Sequence, residues 1–99
     1  MLSLAARCFP EQRMPKVVIY TKNYCSFCYA AKALLKSRKV EFEEIDITRD
    51  VGLQQEVRQR SGERTVPQIF INGHVVGGFR ELKELDTAGE LDRVLGLKQ

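Results

Sequence analysis

Two cysteines separated by two residues, Cys25-Ser26-Phe27-Cys28, are the densest chemical feature of this 99-residue chain. They follow a short apolar run, Val17–Tyr20, and a polar loop, Thr21–Tyr24. They open a stretch in which Phe27, Ala30, Ala31, Leu34 and Leu35 recur at the spacing of one face of an α-helix. On such a helical turn a separation of three residues brings two sulfurs within disulfide reach. Cys25 then stands at the helix N-terminus, where unpaired N–H groups and the positive dipole end favour a thiolate. Lys22, three residues earlier, adds a cation. Cys25 is therefore expected to be the exposed nucleophile, and Cys28, one turn in, the more buried resolving thiol. Two other uses of the pair are inert core packing and zinc ligation. Zinc needs four ligands, the pair supplies two, and the other candidates, Cys8 and His74, form no second closely spaced pair.

The rest of the chain supplies the elements that must hold this pair. Val17–Tyr20 is β-branched and apolar and predicts a buried strand. Lys36, Arg38 and Lys39 fall in the last turns of the first helix, where the dipole favours cations. A second strand is expected over Val40–Ile47, and Asp50 can cap a helix running through Leu53 and Val57 to about Ser61, closed by Gly62. Gln68–Ile71 and His74–Gly77 flank Asn72-Gly73, the signature of a two-residue type I′ hairpin. Gly77-Gly78 breaks that strand. Two short helical segments follow, one with Leu82 and Leu85, the other with Leu91, Val94 and Leu95. The order β-α-β-α-β-β-α predicts an α/β fold. Strands one and two would be parallel through a right-handed crossover and strands three and four antiparallel, giving a mixed four-stranded sheet with flanking helices.

Composition narrows the function classes. One domain fills this length, and apolar runs such as Val17–Tyr20 and Ile69–Ile71 are far short of the roughly 20 residues needed to span a membrane as a helix. A net charge of +3 is low for a nucleic-acid binder of this size. A secreted disulfide scaffold would carry four, six or eight cysteines; one close pair and the stray Cys8 read instead as an intracellular protein whose cysteines do chemistry or bind metal. Residues 1–15 are expected to form a flexible N-terminal extension, or the remnant of a transit peptide, and residues 16–99 the domain. Cys8 then lies in a loose tail, and His74, beside the hairpin turn, is expected to be exposed without a chemical role.

With the strand–C-x-x-C–helix, the segment Arg64-Thr65-Val66-Pro67-Gln68-Ile69-Phe70-Ile71 and the Gly77-Gly78 pair, the sequence resembles a glutaredoxin of the dithiol class over about residues 16–97. A thioredoxin proper usually has Trp before its first cysteine; here that residue is Tyr24 and the chain has no Trp. The resemblance implies the thioredoxin fold, glutathione as electron donor, and disulfide-containing or glutathionylated proteins as substrates. It implies Cys25 and Cys28 as the catalytic pair and a cis-proline segment at Val66-Pro67, whose backbone, with Thr65, would pair with the cysteinyl part of glutathione. Gly78, ahead of the third helix, would offer N–H groups to the γ-glutamyl carboxylate. Lys22 would meet the glycyl carboxylate and Phe27 would cover one side of the site. A basic or amide side chain of the second helix (Gln54, Arg58, Gln59 or Arg60) would assist. It also implies a monomer in the cytoplasm, or in an organelle if the extension is a transit remnant, with neither a nucleic-acid nor a membrane partner.

Two departures from the family pattern bear on the chemistry. Ser26 stands where many dithiol members have proline; it restores an N–H and frees the loop. Members lacking that proline can hold a [2Fe–2S] cluster between two subunits, each giving its first cysteine, here Cys25, with two glutathiones supplying the remaining ligands. A cluster carrier is therefore the rival to the enzyme. After the glycines, where the family often has a pair of acidic or small polar residues, the chain reads Phe79-Arg80-Glu81. Glu81 could still receive the glutathione ammonium, and Arg80 could instead meet the γ-glutamyl carboxylate.

Overall fold

The computed structural model describes residues 15–95. The expected N-terminal extension, apart from Pro15, and Cys8 with it, lies outside the described residues. Eight elements follow in order: β1 (Val17–Thr21), α1 (Ser26–Ser37), β2 (Glu43–Asp46), α2 (Val51–Ser61), β3 (Gln68–Ile71), β4 (His74–Gly77), α3 (Phe79–Thr87) and α4 (Leu91–Leu95). The sheet runs β2-β1-β3-β4. β1 pairs with β2 in parallel and with β3 antiparallel, and β3 pairs with β4 antiparallel. This is the mixed four-stranded sheet of the thioredoxin fold.

Alternation along the two central strands builds two cores. Val17 and Ile19 of β1 and Ile69 and Ile71 of β3 face α1, α3 and α4, packing on Ala31, Leu35, Leu82, Leu91 and Leu95. Tyr20 and Phe70 face the other way, onto Ile47 and Val57 beneath α2, and meet edge to face at 5.6 Å. The period of two thus sends neighbouring residues to opposite layers. The helix ends follow their sequence signals. Asp50 accepts from the Leu53 N–H at 2.9 Å at the start of α2, and Gly62 ends it in the left-handed region. Asn72 and Gly73 both have positive φ, 53° and 84°, as a type I′ turn requires.

β2 is shorter than the expected Val40–Ile47. Only Glu43–Asp46 pair with β1, while Val40 and Ile47 are buried at either side of the strand. Their apolar character marks core anchoring; Ile47 adds one backbone bond to β1, its N–H donating to the Thr21 carbonyl at 2.8 Å. Phe27 also departs from the helical-face reading: it is 62% exposed, while Ala31 and Leu35 are buried.

A bidentate pair ties the end of α1 to α3. Arg38 donates Nε and Nη2 to the Asp86 carboxylate at 2.7 and 2.9 Å. The guanidinium holds the Asp86 carboxyl below its ordinary range. A depressed folded value gives stability that is present above the unfolded pKa and fades as pH falls through the folded one. Asp86→Asn is therefore expected to lower the thermal midpoint at pH 7. The gap from wild type should close as pH falls below about 4. Melting curves of both proteins across that range check it; a gap that persists in acid would count against the pair.

Candidate functional site

The cysteine pair sits where β1 hands over to α1. Cys25 is the N-cap of α1 with extended backbone, and its sulfur accepts from the Cys28 N–H at 3.1 Å. The sulfur thus takes the capping place usually filled by a side-chain oxygen, answering one of the helix's unpaired donors. Cys25 is half-buried; Cys28, one turn on, is 2% exposed. The Cys25 Sγ also lies 3.6 Å from the Val66 carbonyl, to which its thiol donates. Burial pushes the Cys28 thiol up, to about 12, reinforced by its hydrogen bond with Cys25; a backbone hydrogen bond at Lys22 and the charge of Lys32 act in the opposite sense. The nucleophile and resolving roles expected from spacing thus match an accessible sulfur and a sequestered one.

Beside Cys25 a cleft of about 540 Å³ is lined by Phe27, Thr65, Val66, Pro67, Gly77, Gly78, Phe79, Arg80 and Glu81, among others. The Val66–Pro67 peptide is cis. Phe27 and Phe79 stack at 6.1 Å and form an apolar lip. Lys22 does not line this cleft. It lines a smaller polar pocket of about 150 Å³ with Cys25, Cys28, Tyr29, Lys32, Glu44 and Asp46. Of the nine residues expected to bind glutathione, eight therefore share one cleft and Lys22 borders Cys25 from the other side.

The Gly78 end differs from expectation. Its N–H is not free: it donates to Glu81 Oε1 at 2.9 Å, half of a capping box at the start of α3. That bond, ahead of the Arg80 contact, holds the Glu81 carboxyl low. Arg80 donates to the other Glu81 oxygen at 3.2 Å, with its side chain 82% exposed. Glu81 is thus engaged with its own chain on both oxygens, and the amides still without helical partners in that first turn are those of Phe79, Arg80 and Glu81. Close packing explains the glycines. A Cβ on Gly78 would stand 3.3 Å from the Pro67 carbonyl, and Gly77, at φ 119°, would press one onto Glu81 at 3.0 Å.

None of the four α2 candidates lines the cleft. Gln54 is spent on the Ile47 and Thr48 carbonyls, Arg60 stacks 4.2 Å above the Phe70 ring, and Arg58 and Gln59 are exposed elsewhere. The end of α2 contributes Ser61 and the following loop Glu63 instead. Sequence reasoning also missed Gln68, Val75 and Val76 in the cleft wall and Lys32 and Glu44 beside Cys28. The spacing Cys28–Lys32, one helical turn, was the available signal for Lys32. His74 is exposed.

Among the described residues, no group of three or more His, Cys, Asp or Glu side chains could hold a metal ion. An iron–sulfur cluster would find among the described residues one accessible thiol, Cys25. Among the described residues no helix is long and apolar enough to cross a membrane.

Comparison with known proteins adds to this geometry. Residues 17–76 match the sequence profile of the Glutaredoxin family. Glutaredoxin 3 of Escherichia coli K12 is 46% identical over 82 residues, covering 83% of this chain and 99% of the relative. The solution structure of a glutaredoxin from Brucella melitensis superposes with TM-score 0.78 at 42% identity, over 88% of this chain and 95% of that one. A crystal structure of a buckwheat glutaredoxin–glutathione complex gives TM-score 0.77 at 26% identity, over 95% and 89%.

Proposed function

Because the chain belongs to the glutaredoxin family and is a thiol oxidoreductase, we propose that it reduces protein disulfides and glutathione mixed disulfides at the expense of glutathione. The observation that carries this reading is the half-exposed Cys25 sulfur, capped by the Cys28 N–H and facing the Val66 carbonyl at the edge of the cleft. The glutathione complex of the buckwheat relative supports the choice of thiol. In the glutathione route the Cys25 thiolate attacks the glutathione sulfur of a glutathionylated protein. The protein thiolate leaves and takes a proton, and Cys25 carries the glutathionyl group. A free glutathione thiolate then attacks that sulfur, giving glutathione disulfide and returning Cys25 as thiolate. The cysteinyl backbone of glutathione lies along Thr65 and Val66, its γ-glutamyl carboxylate meets the first-turn amides of α3, and Lys22 meets its glycyl carboxylate. Phe27 and Phe79 cover the apolar flank. In the dithiol route Cys28 resolves a mixed disulfide between Cys25 and a substrate protein. The chain acts as a monomer, in a compartment with a glutathione pool such as the cytoplasm.

Cys28→Ser tests the division. It is expected to keep at least about a third of the glutathione route, which needs one sulfur, and to lose about tenfold or more on a protein disulfide, which needs two. Initial rates on a glutathionylated peptide and on a disulfide-bonded protein, with glutathione as sole reductant, measure both. Wild type inactive on both substrates would overturn the reading.

A further inference from the structure

The pocket behind the cysteines holds a charged assembly that neither route described above uses. Lys32 projects from α1 one turn beyond Cys28 and donates its Nζ to Glu44 Oε2 of β2 at 3.0 Å. The same oxygen accepts from the hydroxyl of Thr21, a residue 2% exposed, at 2.8 Å. The ammonium also stands 5.1 Å over the Tyr29 ring. A long, rotamer-rich lysine is thus held between a carboxylate of β2, itself fixed by Thr21 of β1, and a ring of its own helix, with its side chain only 22% exposed. Cys28 lines the same polar pocket.

We propose that Lys32, held by a Glu44 that Thr21 fixes in turn, is a positioning residue that supplies a fixed positive charge to Cys28 when it acts as the resolving nucleophile. This rests on the dithiol route proposed above. In that step the Cys28 thiol loses its proton to solvent through the polar pocket. The thiolate attacks the Cys25 sulfur of the Cys25–substrate disulfide. The Cys25–Cys28 bond forms as the bond to the substrate sulfur breaks, and the departing thiolate takes up a proton. Cys28 is oxidised, the substrate sulfur is reduced, and no net proton or electron is consumed.

The difficulty of the step is ionising a buried thiol, and burial is the largest influence holding the Cys28 proton on. Among the titratable groups lining the pocket with it, Tyr24 and Cys25 ahead of α1, Tyr29 on α1 and Glu44 and Asp46 on β2 do not offer positive charge, whereas Lys22 and Lys32 do. The Lys22 backbone favours the Cys28 thiolate through a hydrogen bond; the Lys32 side chain is the charge that favours it. Glu44 keeps the Lys32 proton in place, raising the ammonium above its ordinary range. Burial alone would raise the Glu44 carboxyl, but the bonds from Lys32 and Thr21 outweigh it and hold it low, so the pair stays ionised at neutral pH.

The test compares wild type, Lys32→Met and Lys32→Arg on two substrates with glutathione as reductant: a disulfide-bonded protein and a glutathionylated peptide. Lys32→Met should lower the ratio of the first rate to the second by about tenfold, the effect of one pH unit on thiolate fraction, and Lys32→Arg should restore most of it. In a Cys25→Ser background, alkylation of Cys28 by iodoacetamide at pH 8–9, followed by peptide mass, should slow by a similar factor with Met and recover with Arg. A ratio within twofold of wild type, or an equal fall in both rates, would overturn the proposal. So would Cys28 alkylation that ignores the charge at position 32. A wild type without activity on the protein disulfide would instead strike at the dithiol route itself.

Discussion

Cys25→Ser is expected to abolish thiol transfer by both routes, with rates falling about a thousandfold or more, because every covalent intermediate passes through that sulfur. Serine preserves the capping geometry: its Oγ can still accept from the Cys28 N–H at the start of α1. The variant should therefore melt close to wild type, so that lost activity reports lost chemistry and not lost fold. A coupled assay of glutathione disulfide formation, run beside a melting curve, separates the two. Retained activity in Cys25→Ser, lost in Cys28→Ser, would exchange the roles of the two sulfurs. That outcome would be hard to reconcile with Cys28 being 2% exposed and its thiol pushed up to about 12.

The second large effect lies far from sulfur. Leu82 is fully buried, on the face of α3 that packs against α1 and the sheet. Leu82→Ala is expected to cost roughly 2–5 kcal/mol, from lost transfer energy and an incompletely collapsed cavity. For a domain of this size each kcal/mol is worth about 4–8 °C, so the midpoint should fall by roughly 8–40 °C. Total stabilities are commonly about 5–15 kcal/mol, so the variant would sit near the edge of folding. The same helix carries Gly78, Arg80 and Glu81 to the cleft, so Leu82→Ala should also weaken glutathione use below its melting temperature, seen as a raised KM. Urea titration measures the stability change; a loss under about 1 kcal/mol would mean that α3 is held mainly by other contacts.

Much of this architecture is legible in short-range signals. Asp50, Gly62 and Asn72-Gly73 each dictate a backbone conformation by their own chemistry, and the helix ends and hairpin fall where they say. The placement of the cysteines is legible for the same reason: a capping residue is defined by its immediate neighbours. What sequence does not carry is which apolar residues are left outside. Phe27 fits the helical face of Leu34 and Leu35, yet it stacks on Phe79, contributed by a helix more than fifty residues away. The state of the Gly78 amide is illegible for a related reason. Whether Glu81 folds back to cap it depends on a side-chain rotamer and on the room that two glycines leave, not on residue type alone. The α2 candidates lie outside the cleft lining because a long polar side chain has many reachable partners; Gln54 found carbonyls and Arg60 an aromatic face.

The sheet ends on two unlike borders. β2 shows its neighbours Glu43, Asp46 and the Lys32-paired Glu44, all exposed, while β4 shows His74 and Val75. Two copies meeting β2 to β2 would bring carboxylates of one sign together as their backbones sought to pair, and repulsion would oppose the contact although the chain as a whole carries +3. β4 has no such guard in its charges. Its protection is geometric: the irregular register between Ile69 and Phe70 disturbs the ladder beside it and favours a stronger local twist, which makes a poor template for a further strand. Colloidal behaviour therefore rests on electrostatics along one border and on shape along the other, and only the first is weakened by salt.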